Sequence, residues 1–106
     1  VVNAYRRMGK RLAATNQLRN KRLAGESNSG MLSPFVRLNR NQGLLLENEN
    51  HDRSVVIYGM AKAILEINHL KLDKKNLNEV YPKAAAQFAE LRRKRAKPGW
   101  KIQLPN

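Results

Sequence analysis

Residues 81–100 read YPKAAAQFAELRRKRAKPGW, apolar in the first half and cationic in the second. Pro82 suits the first turn of a helix, because its fixed φ is already helical and its missing N–H would have no partner there. From that start Ala84, Phe88 and Leu91 recur at i, i+4 and i+7 with Ala85 beside them, a stripe that one helix face can bury. Arg92, Arg93, Lys94, Arg95 and Lys97 continue beyond the apolar run, and Pro98 with Gly99 stops the helix. The sequence therefore predicts a helix anchored in a small core at one end and offering cations to a polyanion at the other.

That contrast extends to the whole chain. The 106 residues carry a formal charge of +13, and the charge is segregated. Residues 1–40 hold nine cations and only Glu26, residues 41–91 hold six cations and seven acids, and residues 92–106 hold six cations and no acid. A near-neutral middle between two basic ends fits a folded body with polyanion-binding extensions. We divide the chain into a basic N-terminal arm or helix (1–34), a small helical body ending in a basic helix (35–97), and a C-terminal tail (98–106). Disulfides and thiolate zinc sites are excluded, since there is no cysteine. No apolar run approaches the roughly 18 residues of a membrane span, residues 55–70 being interrupted by Lys62 and Glu66.

In the first segment Val2, Tyr5, Met8 and Leu12 follow helical spacing with Arg6, Arg7, Lys10 and Arg11 between them. This predicts a basic amphipathic helix that needs a partner to be firmly formed. Residues 25–34, GESNSGMLSP, have loop chemistry, and 35–43 read as a basic connector or short strand. The leucines at 44–46 should be buried somewhere. After a turn at 48–52, Asp52 or Ser54 can cap a helix with the stripe Val56, Met60, Ala63, Ile64 and Ile67. Residues 55–58 favour β structure and Gly59 breaks helices, so a short β-hairpin within 43–58 is the alternative. Asp73 can cap a short helix over Leu77, Val80 and Tyr81 that ends at Pro82. The expected fold class is mainly α, a body of about three helices with Val56, Met60, Ile64, Ile67, Phe88 and Leu91 as shared core.

Catalytic chemistry finds little support in the residues. The six glycines never take the spacing of a phosphate-cradling loop. His51 and His69 lack the i, i+4 partner of a helical metal pair. His51, Asp52 and Ser54 lie too close in sequence for triad geometry, and Glu47, Glu49 and Asp52 read as a solvated acidic loop. The expectation is a non-enzyme without cofactor or metal.

The basic runs carry the functional signal. Lys and Arg neutralise phosphates and release counterions, the main source of sequence-independent nucleic-acid affinity. Guanidinium can also bind phosphate bidentately. The candidate nucleic-acid-binding residues are Arg6, Arg7, Lys10, Arg11, Arg19, Lys21, Arg22, Arg37, Arg40, Arg92, Arg93, Lys94, Arg95 and Lys97, with Trp100 available to stack on an unpaired base. The expected function is that of a structural RNA-binding protein in a large ribonucleoprotein, a ribosomal subunit beside other proteins of the assembly. Residues 1–24 share the Arg-rich, acid-free composition of transit peptides, which leans the expected location to mitochondrial ribosomes. The second reading is a small helix-turn-helix-like DNA-binding protein, since the predicted helices over 55–69 and 73–81 could mimic that motif. The third is a basic module for an acidic protein or membrane surface.

Overall fold

A computed structural model describes residues 1–105. Three helices dominate: α1 (Val2–Asn20), α2 (Arg40–Ile67) and α3 (Lys74–Arg95). Between α1 and α2 two short strands, β1 (Ala24–Glu26) and β2 (Leu32–Pro34), pair antiparallel with Gly25 opposite Ser33. The mainly helical class is thus as expected, but the hairpin lies in the stretch read as a loop, and 43–58 is unbroken helix.

The start of α2 explains that difference. Asn39 accepts from the Gln42 backbone N–H at 2.8 Å while the Gln42 side chain accepts from the Asn39 N–H at 3.0 Å, a reciprocal cap twelve or more residues before the expected one. Helix once started continues through Val55, Val56, Ile57 and Gly59, because Val56 and Ile57 are buried and tertiary burial outweighs local β preference. Pro82 likewise does not begin a helix; it sits inside α3. Val80 and Ala84 on either side of it are buried in one core, and that packing offsets the hydrogen bond which proline cannot donate. Asp73 is the cap of α3, accepting from the Asn76 N–H at 2.8 Å.

The α2–α3 connection is an antiparallel hairpin of helices, since Arg53 and Phe88, equidistant from the connection, lie together. α1 also runs antiparallel to α2, with Arg7 beside Asp52 and Arg11 beside Glu49. α2 is therefore the central element, flanked by α1 and α3. The main core joins Ala4 and Met8 of α1 to Val56, Ile57, Ala61 and Leu65 of α2 and to Val80, Ala84 and Phe88 of α3. A second cluster, Leu18, Ala24 and Leu32, packs against Leu45 and Leu46 and accounts for two of the three leucines at 44–46.

The buried stripes are rotated from those expected. In α1 the buried positions are Ala4, Met8, Thr15, Leu18 and Arg19, leaving Val2, Tyr5 and Leu12 outside. In α2 Ile67 is 76% exposed, and in α3 Leu91 also lies outside the core. Residues 1–34 are seated on the rest of the fold rather than held off it as an arm, for a reason that lies in the acids.

The hairpin ties these parts together. Gly30, at φ +86°, turns the chain where a side chain would strike Ile57 Cδ1 and the Ala85 carbonyl, 3.1 and 3.2 Å away. The Asn50 side chain completes the β2 edge, accepting from the Leu32 N–H at 2.8 Å and donating to its carbonyl at 2.9 Å. On β1, the Glu26 N–H donates to the Lys101 carbonyl at 3.0 Å and the Gln103 N–H to the Glu26 carbonyl at 2.8 Å, so the tail lies beside the strand in parallel. Gly25 permits this approach, since an added Cβ there would overlap the Lys101 carbonyl and lie 2.6 Å from Phe35 Cε2.

Candidate functional site

The expected acidic loop is helical, and Glu49 and Asp52, three residues apart on α2, point inward with Arg53. Arg7 of α1 donates from Nε and Nη2 to Asp52 Oδ1 at 2.9 and 2.7 Å. Arg11 donates to Glu49 Oε1 at 2.9 Å and also to Asp52 Oδ2. Arg53 is fully buried and donates to both oxygens of Glu26, at 2.5 and 3.0 Å, and from Nε to Glu49 Oε2 at 3.0 Å. Arg19, 3% exposed, reaches the same Glu26 at 2.7 Å and further bonds Thr15 and Asn16. Four guanidiniums thus share three carboxylates, and this network seats α1 and the hairpin on α2.

The electrostatics follow from that count. Burial alone would raise the Glu26 carboxyl, but the hydrogen bonds and charges of Arg53 and then Arg19 more than offset it and hold it below the ordinary range. The hydrogen bond from Arg7, opposed by burial and reinforced by Arg11, holds the Asp52 carboxyl low as well. Burial would lower Arg53, yet Glu26 and Glu49 keep its guanidinium above the usual value.

Arg7, Arg11 and Arg19, expected on nucleic acid, each receive an internal acid from the fold. Arg53 is not among the expected residues, although the Glu49/Arg53 spacing of four on one helix is a signal for such a pair. Arg22 donates from Nε to the Gly99 carbonyl at 3.1 Å and holds the turn at the start of the tail. Arg6, Lys10, Lys21, Arg37 and Arg40 are exposed and form no ion pair among the described residues. Lys94 lies 3.4 Å from Glu90, the one ion pair exposed on both sides among the described residues.

No family model, curated protein or solved structure matches this chain. The site must therefore be read from its own geometry.

The fold brings one part of the candidate set together. A groove runs between α1 and the C-terminal half of α3, lined at one end by Tyr5, Met8 and Gly9 and at the other by Asn16, Lys97 and Trp100. Leu12, Arg19, Arg92 and Arg95 line it throughout. Its Trp100 end is a recess of about 290 Å³, near the lower limit for small-ligand sites. Glu49 is the carboxylate on its wall, and both of its oxygens are taken by Arg11 and Arg53.

Trp100 packs back on its own chain. Its Nε1 donates to Asn20 Oδ1 at 2.8 Å, and the Arg19 guanidinium lies 4.6 Å from its ring centre. Arg92 is half-buried, 5.0 Å from the Phe88 ring on which Arg53 also rests. Burial and the charge of Arg53 push its guanidinium below the usual value. Its Nε is sealed from water without a hydrogen-bond partner.

No helix among the described residues is long and apolar enough to cross a membrane. No group of three or more His, Cys, Asp or Glu residues could hold a metal ion among them.

Proposed function

We propose that this chain is a structural RNA-binding protein of a large ribonucleoprotein, with a ribosomal subunit, mitochondrial by the composition of residues 1–24, as the assembly of first choice. The observation that carries the reading is the direction in which the acids point. Glu26, Glu49 and Asp52 turn inward to arginines, so Arg6, Lys10, Arg95 and Lys97 face solvent without ion pairs among the described residues. Arg95 and Lys97 share one groove wall with Arg92, and like charges gathered in this way repel unless a polyanion neutralises them. Phosphate contacts position a protein on RNA without reading its sequence, which suits a structural role.

The helix-turn-helix alternative gains nothing from the fold, because α2 and α3 are long helices lying side by side rather than two short ones set at a steep angle by a tight turn. Salt titration of binding to RNA and to duplex DNA, with co-sedimentation on ribosomal particles, tests the proposal. Engagement of about six phosphates should lower affinity by about three orders of magnitude between roughly 50 and 200 mM salt, and single-base changes should matter little. A shallow salt slope with a large penalty for single-base changes in duplex DNA would overturn it in favour of the second reading. Absence of nucleic-acid binding alongside capture by an acidic protein would favour the third.

A further inference from the structure

We infer that the groove between α1 and α3 seats an unpaired RNA segment, with one backbone phosphate received by Arg92. This rests on the RNA-binding reading and gives it a location and a strand form. Arg92 is the anomaly that points there. Glu26, Glu49 and Asp52 each answer other arginines, and the Arg92 guanidinium makes no hydrogen bond among the described residues. Burial and the charge of Arg53 outweigh the pull of Glu26 and Glu49, whose oxygens already bond other arginines, so this half-buried cation is a cost to the folded chain that an incoming anion removes. Arg95 and Lys97 extend the same cationic line toward the recess.

The form of the partner follows from the lining. Tyr5 and Leu12 are 46% and 49% exposed and offer apolar surface beside the cations, which suits bases as well as phosphates. A duplex hides its base faces and rides on exposed cations, whereas an unpaired strand can turn a phosphate into the recess and lay a base on its wall. Trp100 is the sole tryptophan of the chain and lines the recess, so its emission reports occupancy directly.

The test uses the full chain, a ten-nucleotide single-stranded RNA and the duplex it forms with its complement, with Trp100 fluorescence as readout. Arg92→Met keeps a long apolar side chain against Phe88 and removes the charge, while Lys83→Met removes an exposed α3 cation outside the groove. Single-strand binding should change Trp100 emission, and Arg92→Met should weaken it by roughly ten- to a hundredfold, the span of hydrogen bonds to charged groups. Lys83→Met should have much less effect, and duplex binding should leave emission nearly unchanged. The thermal midpoint of Arg92→Met should equal or exceed that of the native chain. Equal losses from the two variants, equal emission changes with duplex, or a sharply lowered midpoint for Arg92→Met would overturn the groove assignment while leaving RNA binding in place. Failure of both RNA forms to bind would overturn the groove assignment and the RNA-binding reading together.

Discussion

Glu26 is the residue on which most of the fold converges. Its side chain answers Arg19 and Arg53, and its backbone pairs with β2 and with the tail. Glu26→Gln keeps the shape and the backbone bonds but leaves two buried guanidiniums short of a counter-charge. Breaking a buried pair in this way costs about 3–5 kcal/mol, which urea unfolding should show; a change well under 1 kcal/mol would mean that these ion pairs hold nothing. The cations were legible in the sequence as a set, but their roles were not. An arginine reads the same whether a carboxylate or a phosphate lies opposite it, and Glu26 sits 27 residues from Arg53, beyond any periodic signal.

At the scale of the helix, termini and faces behave differently. α1 and α2 both end in a left-handed residue that is not glycine, Arg22 at φ 58° and His69 at φ 55°. Each is followed by a closing bond, Leu23 N–H to the Leu18 carbonyl and Leu70 N–H to the Leu65 carbonyl. A side chain in that conformation costs about 1–2 kcal/mol, so exposed His69→Gly should raise the thermal midpoint, by an increment corresponding to about 1 kcal/mol or less once the added freedom of the unfolded chain is included. A fall would show that the imidazole contributes to the helix end. Phe88, 1% exposed and the ring beneath Arg53 and Arg92, should cost roughly 3–5 kcal/mol when cut to alanine, read from the same denaturation curves. Helical periodicity located α1 and the second half of α2, missed the first half of α2, split α3 at Pro82, and rotated the buried face of α1. The reason is chemical: the buried line there includes Ala4, Thr15 and Arg19, which a search for large apolar residues passes over.

Across the whole molecule, pairing makes stability depend on acid. Glu26 and Asp52 have folded-state pKa values below their unfolded ones, so the stability they contribute is present above the ordinary carboxylate range and is lost as pH falls through it to the depressed folded values. The thermal midpoint should be flat from about pH 7 to about pH 5 and should then fall, and Glu26→Gln should make that fall shallower; an unchanged slope would separate acid unfolding from the network. The segregation of charge was visible along the chain, yet it did not show that the basic N-terminal segment would satisfy the acids of the middle, because that requires knowing that α1 lies antiparallel on α2. The parallel pairing of the tail with β1 carries a consequence for timing. Arg53, Glu26 and Arg19 can meet once α2 has been made, whereas Lys97 and Trp100 reach the groove only after α3, when Trp100 meets Asn20, Gly99 meets Arg22 and residues 101–103 reach β1. During synthesis, at about 5–20 residues per second, a nascent chain would therefore hold the parts of its ion-pair centre for some seconds before the groove wall was complete.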